Sequence, residues 1–320
     1  MSQDILVLIE HLQGQVSDIS YVMLAAGRVL AGGTGGKVNA MLLGHDAKKL
    51  ASDLGADEVL YVDHAALKDF TSDAYLQVLS GYVQENQPRA VLMGHTTIGM
   101  DVASGVSARL GLPLVSQCIS LAGDGKFTSQ ICGGKIMAEG ALPEPVALVT
   151  VVPGRYKPDE GKSDKAPKVA AMAAPDLGKL RVRLREYIEP EVGDVDITTE
   201  DVLIAVGRGL QNEADLELAE ELAEVMGGAV CASRPIIDQG WLPTSRLVGK
   251  SGLSVKPKLY LAFGISGAPE HAEGVMDSEL LIAVNTDPNA PIFDIAKFGI
   301  EADMLDLLPV LVEQLQEVKE

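Results

Sequence analysis

Residues 259–271, LYLAFGISGAPEH, set the fold of the second half of the chain. An apolar run from Leu259 ends in a turn rich in glycine, Gly264 to Pro269, and the polar stretch from Glu270 to about Met276 predicts a short helix. A second apolar run, 280–284, follows. Strand, glycine turn, helix and strand in this order predict a βαβ-like unit with its loop at the carboxyl end of the first strand.

The loop of this unit has the composition of a ligand site. Glycine lets a backbone approach a ligand closely, and the N–H groups at a helix start attract anions. Pro269 suits the first turn of a helix, where a missing N–H costs nothing. The same glycines could equally serve only to form the turn. His271 in the helix and Asn285 at the end of the next strand favour a ligand site.

Length, charge and cysteine content exclude several classes of protein. At 320 residues the chain suits two domains, and its formal net charge of −19 argues against nucleic acid and anionic membranes as partners. Its three cysteines and its histidines lack the spacing of a metal or redox motif. No apolar run is long enough to cross a bilayer. The first residues lack a basic region and a cleavage site, so we expect a cytoplasmic protein without membrane insertion.

The first half alternates strands and helices and then changes. Strands predicted at 4–9, 38–43, 58–62 and 90–93 are separated by helices predicted at 18–30, 46–54 and 72–85, which indicates a parallel, doubly wound sheet. Four short runs without helices between them predict antiparallel strands that extend it, at 115–122, 127–132, 135–139 and 146–152. The turn from Gly94 to Gly99 could hold a phosphate, but a plain turn with threonine caps is favoured.

The middle of the chain indicates a domain boundary. Residues 179–185 alternate basic and apolar side chains, as a half-exposed strand does, and residues 186–200 are acidic and interrupted by Pro190 and Gly193. We therefore predict an N-terminal α/β domain over 1–185, a linker over 186–200 and a second domain over 201–320.

Three predicted strand ends of the second domain carry Gly, Ser, Arg or His, at 207–209, 233–234 and 264–271. Ligands of open α/β sheets bind at the carboxyl ends of the strands, so these residues can line one crevice. The irregular segment 236–257 between them is typical of a functional loop. Arg208 and Arg234 could hold a phosphate or stabilise negative charge on a ring, and each could equally form a surface salt bridge. No nucleophile–base pair is recognisable, so we expect a dinucleotide-binding domain whose chemistry belongs to its cofactor.

The second domain contains a set of spaced motifs, namely Gly207-Arg208-Gly209, Ala232-Ser233-Arg234, Val248-Gly249 with Ser251-Gly252, Gly264-Ile-Ser-Gly267-Ala268 with His271, Met276-Asp277-Ser278, Ala283-Val-Asn285 with Asp287-Pro288, and Ala290-Pro-Ile-Phe293. In these motifs the domain resembles the electron-transfer flavoprotein alpha subunit. The first half matches more loosely, at its first strand, at Thr96-Thr97-Ile-Gly99 and at Gly133-Gly134-Lys135. The resemblance covers essentially the whole chain.

This resemblance implies a Rossmann-like parallel sheet that binds one FAD, and a heterodimer with a beta subunit. The expected function is transfer of single electrons from flavin dehydrogenases, such as acyl-CoA dehydrogenases, to a quinone-linked or other acceptor. Two alternatives remain: an electron-bifurcating complex that uses NADH, with a second FAD in the beta subunit, and a nucleotide-binding subunit without redox chemistry.

The resemblance also implies a role for individual residues. Arg234 would lie by the isoalloxazine ring, His271 would face its pyrimidine edge, and the Ser251 hydroxyl would reach its redox-active nitrogen. The ribityl, pyrophosphate and adenosine groups would contact Arg208, Ser233, Ser266, Gly267, Ala268, Asn285 and Asp303. The predicted site also includes neighbouring positions, namely Val248, Gly249, Lys250, Pro269, Glu270 and Met304. Lys250 stands where the family usually has glutamine, and Ser251 where threonine is common.

Overall fold

The chain divides into two compact units, Met1–Tyr187 and Ile188–Glu320. This division comes from a computed structural model that describes residues 2–132, 136–187 and 195–319. The Gly133-Gly134-Lys135 motif lies outside the described residues, and so do residues 188–194 of the predicted linker.

The described ends of the predicted linker already belong to one unit or the other. Tyr187 donates a hydrogen bond of 2.9 Å from its hydroxyl to Asp69 in the first unit. Ile197 is fully buried in an apolar cluster of the second unit, together with Leu203. The interdomain linker over residues 186–200 stays a prediction. Ile197, which lies within that range, packs as part of the second unit.

The first unit is built around one large mixed sheet. Its strands are β1 (Ile5–Leu8), β2 (His11–Leu12), β3 (Gln15–Val16), β4 (Val38–Gly44), β5 (Glu58–Asp63), β6 (Ala90–Gly94), β7 (Leu114–Leu121), β8 (Lys126–Ile131), β9 (Ile136–Ala141), β10 (Ala147–Val151) and β11 (Lys168–Met172), and its helices are α1 (Asp18–Thr34), α2 (Ser72–Asn86) and α3 (Thr97–Leu110). All strands except the β2–β3 hairpin join in the order β11-β5-β4-β1-β6-β10-β7-β8-β9.

Alternate residues of β1 show why helices cover both faces of this sheet. Ile5 and Val7 pack in the cluster that contains α1, whereas Leu6 and Leu8 pack in the cluster that contains α2 and α3. Side chains of a strand alternate between faces, so an uninterrupted apolar run marks a strand buried on both sides. The predicted doubly wound sheet is confirmed, with β8 and β9 as its antiparallel extension.

The prediction for residues 146–152 is wrong in one respect. β10 pairs in parallel with both β6 and β7 and is buried at every position, so it lies inside the parallel part of the sheet. The prediction relied on the lack of a helix before this run. The chain connects the parallel strands β7 and β10 through the antiparallel strands β8 and β9 instead of through a helix. The continuous apolar run of β10 indicates a strand buried inside a parallel sheet more reliably than the lack of a preceding helix indicates an antiparallel one.

Two further predictions in the first unit are wrong. The helix predicted at 46–54 is only a 3₁₀ turn, Lys48–Ala51, because the next amides bond elsewhere: the Gly55 N–H donates to the Gly161 carbonyl at 2.8 Å. Residues 179–185 form no strand. The backbone N–H of Arg181 donates instead to the Asp73 carboxylate at 2.7 Å, and the guanidinium joins the same carboxylate at 2.9 Å.

The second unit is a parallel sheet, as predicted, and it has five strands. Its strands are β12 (Val202–Val206), β13 (Ala229–Ala232), β14 (Leu259–Phe263), β15 (Leu281–Asn285) and β16 (Phe298–Glu301), and its helices are α4 (Leu216–Met226), α5 (Arg234–Asp238), α6 (Pro269–Ala272) and α7 (Met304–Lys319). The order is β13-β12-β14-β15-β16. The chain moves to one side after β12 and to the other side from β14 onward, which opens a crevice at the carboxyl ends of these two strands.

The two longer helices of the second unit, α4 and α7, cover one face of its sheet and pack against Ile204, Val206 and Phe263. The opposite face is covered by loop residues that include Val248 and Val255, and by α6, whose His271 contacts Tyr260 there. Among the described residues, no helix is both long and apolar enough to cross a membrane.

Candidate functional site

One cavity of about 790 Å³ lies at the carboxyl edge of the sheet in the second unit. Every strand of that sheet contributes to it: Arg208 follows β12, Ser233 follows β13, Ser266 follows β14, Asn285 ends β15 and Asp303 follows β16. Pockets that bind small molecules commonly measure about 300–1,000 Å³. The cavity has the size and the position expected of a ligand site in a parallel α/β sheet.

The cavity brings together all but two of the sixteen predicted site residues. Those that line it are Arg208, Ser233, Arg234, Val248, Gly249, Lys250, Ser251, Ser266, Ala268, Glu270, His271, Asn285, Asp303 and Met304. Pro269 begins α6 beside it. Gly267 shapes the loop instead: its φ is +83°, and a Cβ there would lie 2.2 Å from the backbone nitrogen of Ile292.

The floor of the cavity depends on a close approach of two glycines. Gly264 has a φ of +62°, and a Cβ on it would lie 2.6 Å from the Cα of Gly209. The Gly209 N–H donates to the Gly264 carbonyl at 3.1 Å, which ties the loop after β12 to the loop after β14. These glycines therefore form a turn and also border the cavity, so the two alternatives posed by the sequence are not exclusive.

Arg234 and Ser251 meet at the wall of the cavity although seventeen residues separate them. The Arg234 guanidinium donates from Nε to Asp238 at 2.7 Å and from Nη1 to the Ser251 hydroxyl oxygen at 3.3 Å. Since the serine oxygen accepts a bond from a cation, its own hydrogen points elsewhere and becomes a better donor. Arg234 thus forms the surface salt bridge considered above and also borders the cavity.

Lys250 adds a second cation to this wall. Its backbone N–H donates to the Glu270 carbonyl at 2.6 Å, and its ammonium lies 3.8 Å from the Glu273 carboxylate. The Lys250 side chain is 26% exposed, so its charge lies largely within the wall. The ion pair with Glu273 offsets part of the field that this lysine adds to the cavity.

His271 is buried at the edge of the cavity and is neutral near pH 7. Burial lowers its pKa from 6.5 to about 4, and the backbone of Val248 only partly opposes this shift. Its Nε2 lies 3.0 Å from the Tyr260 hydroxyl. Its Nδ1 is buried and forms no hydrogen bond of normal geometry with the described residues, although the Val248 backbone lies near the ring. A buried polar atom without a partner is costly, so a ligand with a polar edge suits this position.

Asn285 and Asp303 use their polar atoms within the protein. The Asn285 amide donates to the Ile265 carbonyl at 2.9 Å and accepts from the Asp287 N–H at 2.9 Å. One Asp303 oxygen accepts from the Leu305 N–H at 2.9 Å, at the start of α7. Both residues position the loops that border the cavity, and each keeps at least one lone pair for a ligand.

Several lining residues were not among the predicted ones. They follow the same strand ends and include Gln211, Pro235, Thr286, Asp287, Ala290 and Pro291. Their position after strands already assigned was a signal that could have identified them.

The first unit has two polar clusters of its own. Glu10 is 3% exposed and accepts from the Thr96 hydroxyl at 2.8 Å, while Thr96 accepts from the Gly99 N–H at 3.0 Å and so caps α3. This confirms the predicted threonine-capped turn. His45, Asp46 and Asp63 place ligand atoms within 4.8 Å of one another, but all three are exposed, and such groups are common without a metal.

The residues present fit a dinucleotide with a flavin ring. Three cations border the cavity for phosphate or for a ring that gains negative charge, and carboxylates border it for ribose hydroxyls. The Nδ1 atom of His271 forms no hydrogen bond of normal geometry within the described protein.

Comparison with known proteins gives the same result from the sequence side. Residues 5–177 match the model of the electron transfer flavoprotein domain, and residues 196–276 match that of the electron transfer flavoprotein FAD-binding domain. The protein FixB of Clostridium saccharobutylicum is 36% identical over 98% of this chain and 96% of its own length. The electron transfer flavoprotein subunit alpha of Bacillus subtilis is 32% identical, with 99% of both chains covered.

A third relative comes from an enzyme complex. The subunit LctC of the lactate dehydrogenase (NAD(+), ferredoxin) of Acetobacterium woodii is 33% identical over 98% of this chain and 77% of its own length.

Proposed function

Since the chain belongs to the electron transfer flavoprotein family as an alpha-type subunit, we propose that it binds one FAD in its second unit and pairs with a beta subunit. The heterodimer passes single electrons from flavin dehydrogenases, such as acyl-CoA dehydrogenases, to a quinone-linked or other acceptor. The bound flavin supplies the redox chemistry. The chain binds and orients it and sets the charge around its ring.

The observation that carries this proposal is the convergence of the matching motifs on one cavity. Motifs that are spread over residues 207–288 supply Arg208, Ser233, Ser266 and Asn285 from the ends of four different strands, and Asp303 follows the fifth strand. A turn that served only to reverse the chain would not require polar residues at every strand end. A ligand with several polar groups along its length would require a polar partner for each of them.

The test is a flavin titration of the purified heterodimer with Arg208→Ala. Arg208 is exposed and borders the cavity, so this change removes a cation without opening the core. A hydrogen bond to a charged group contributes about 1.5–3 kcal/mol, so the flavin Kd should rise roughly ten- to hundredfold. Arg183→Ala, an exposed arginine of the first unit, should leave the Kd unchanged. Equal affinity in both variants would contradict the proposed site.

The likeness to LctC supports a second candidate, an electron-bifurcating complex. In that case the beta subunit holds a second FAD and the complex accepts electrons from NADH. Counting flavin released from the denatured heterodimer separates the candidates, because the simple carrier holds one FAD per pair and the bifurcating complex holds two. Rapid reduction by NADH would favour the second candidate, and a colourless heterodimer that binds no flavin would contradict both.

A further inference from the structure

A buried tyrosine lies directly behind His271. Tyr260 belongs to β14, is 0% exposed and brings its hydroxyl within 3.0 Å of the His271 Nε2. The Cys231 thiol lies 3.9 Å from the same hydroxyl. His271 borders the cavity, whereas Tyr260 does not, so any effect of the tyrosine on a ligand must pass through the histidine.

The two rings are both neutral near pH 7. Burial raises the pKa of Tyr260 well above 10, so it keeps its hydrogen, and burial lowers the pKa of His271 to about 4. A neutral imidazole carries one hydrogen, and the bond made by one ring nitrogen decides which nitrogen holds it.

Chemistry decides the direction of the bond between them. A phenol O–H is a stronger donor than an imidazole N–H, and an unprotonated imidazole nitrogen is a stronger acceptor than a phenol oxygen. Tyr260 therefore donates to Nε2, and the ring hydrogen resides on Nδ1. The Cys231 thiol agrees with this direction, since it can donate weakly to the phenol oxygen.

We propose that Tyr260 is a positioning residue that holds His271 as the Nδ1–H tautomer, so that the ring offers its second nitrogen as a neutral donor. That nitrogen forms no hydrogen bond of normal geometry with the described residues. A donor in this place suits an acceptor on the ligand, such as a ring carbonyl, and brings no positive charge. This consequence for the ligand rests on the proposed function, whereas the tautomer itself does not.

The tautomer can be measured on the full-length chain labelled with ¹⁵N-histidine. One-bond N–H couplings identify the protonated nitrogen of each ring, and His271→Asn assigns the signal among the five histidines. The wild-type chain should carry the hydrogen on Nδ1. Tyr260→Phe removes only the hydroxyl, so the signal should move toward the Nε2–H form that the free side chain prefers in water.

Tyr75→Phe is the matched control. Tyr75 is a buried tyrosine of the first unit whose hydroxyl donates to the Leu43 carbonyl at 3.3 Å, so its loss carries a similar structural cost. It should leave the His271 signal unchanged. A wild-type His271 ring that carries its hydrogen on Nε2 overturns the proposal, and this result does not depend on whether Tyr260→Phe folds. If Tyr260→Phe folds and keeps the wild-type tautomer, the proposal is overturned as well.

A flavin titration of the heterodimer tests the positioning role. Because one neutral hydrogen bond contributes about 0.5–1.5 kcal/mol, Tyr260→Phe should weaken flavin affinity roughly two- to tenfold, and Tyr75→Phe should not. A change of tautomer without loss of affinity would refute that role. A heterodimer that binds no flavin at all would count against the proposed function and leave the tautomer result standing.

Discussion

Arg234 and Asp238 should change the reduction potential of a bound flavin in opposite directions. The Arg234 guanidinium borders the cavity and pairs with the Asp238 carboxylate at 2.7 Å. A cation beside a flavin favours its reduced, negatively charged form, and a carboxylate paired with that cation weakens the effect. Arg234→Ala should therefore lower the one-electron potential of the heterodimer, and Asp238→Asn should raise it.

The magnitude follows from the strength of one hydrogen bond. An uncompensated charged donor contributes about 1.5–3 kcal/mol and a neutral one about 0.5–1.5 kcal/mol. The Arg234 side chain is 61% exposed and already paired, so the lower range applies. Since 59 mV corresponds to a tenfold change for one electron, Arg234→Ala should lower the potential by about 20–65 mV. Asp238→Asn leaves the Arg234 guanidinium without its carboxylate partner, so that its effect moves from the lower range to the range of an uncompensated charged donor. This difference should raise the potential by about 40–65 mV.

The assay is a redox titration of each heterodimer with absorbance detection of the flavin. Arg28→Ala serves as a control, because Arg28 forms a comparable ion pair with Asp57 at 2.7 Å in the first unit. Arg234→Lys should recover part of the potential, since the charge survives and the planar fork does not. If Asp238→Asn lowers the potential, or if Arg234→Ala binds FAD normally and leaves it unmoved, the electrostatic role of this pair is wrong.

Two further predictions concern the fold around the site and the first unit. Gly264→Ala should destabilise the second unit by about 1–3 kcal/mol more than Gly240→Ala, because both glycines have positive φ but only Gly264 would place a Cβ against backbone. Urea unfolding followed by the fluorescence of Trp241 measures both losses. Equal losses would show that φ strain alone matters. Burial raises the pKa of Glu10 from 4.5 to about 7, so the folded chain holds a proton that the unfolded chain releases. This group contributes about 3 kcal/mol of stability, which is fully present below about pH 4.5 and is lost as the pH rises to 7. After correction for intrinsic rates, the β1 amides should therefore exchange hydrogen more slowly at pH 5 than at pH 7. This difference should disappear in Glu10→Gln, and a difference that persists there would contradict this cause.

A strand whose residues are all buried could be predicted from the sequence, and the fully exposed edge strand β16 could not. The four-residue apolar run 229–232, which follows a helix closed by glycine, indicates a strand and coincides with β13. No pattern marks β16, whose four side chains are all exposed. Its identity comes from hydrogen bonds to β15, and an edge strand with one neighbour needs no apolar alternation.

The site could be predicted as a set of strand ends but not as a set of contacts. The turns after β12, β13 and β14 are marked by glycine, serine and arginine in the sequence. The bond between Arg234 and Ser251, and the one between Tyr260 and His271, depend on the path of the irregular loop and on the depth of a strand residue. Local patterns carry no information on either.

The order of the strands gives the cavity two chemically different sides. Arg208 and Arg234 follow β12 and β13, whereas the carboxylates of Asp287 and Asp303 follow β15 and β16. Because β13 and β12 lie at one end of the sheet and β15 and β16 at the other, these four charges are separated across the cavity. Lys250 and Glu270 belong to neither side, since they adjoin each other through the bond from the Lys250 N–H to the Glu270 carbonyl. Charges beyond about 8 Å are screened in physiological salt, so this local arrangement outweighs the net charge of −19 at the site. A cationic side suits phosphate or a ring that gains negative charge, and an acidic side suits ribose hydroxyls, so one elongated ligand with both groups matches the cavity better than a simple anion does.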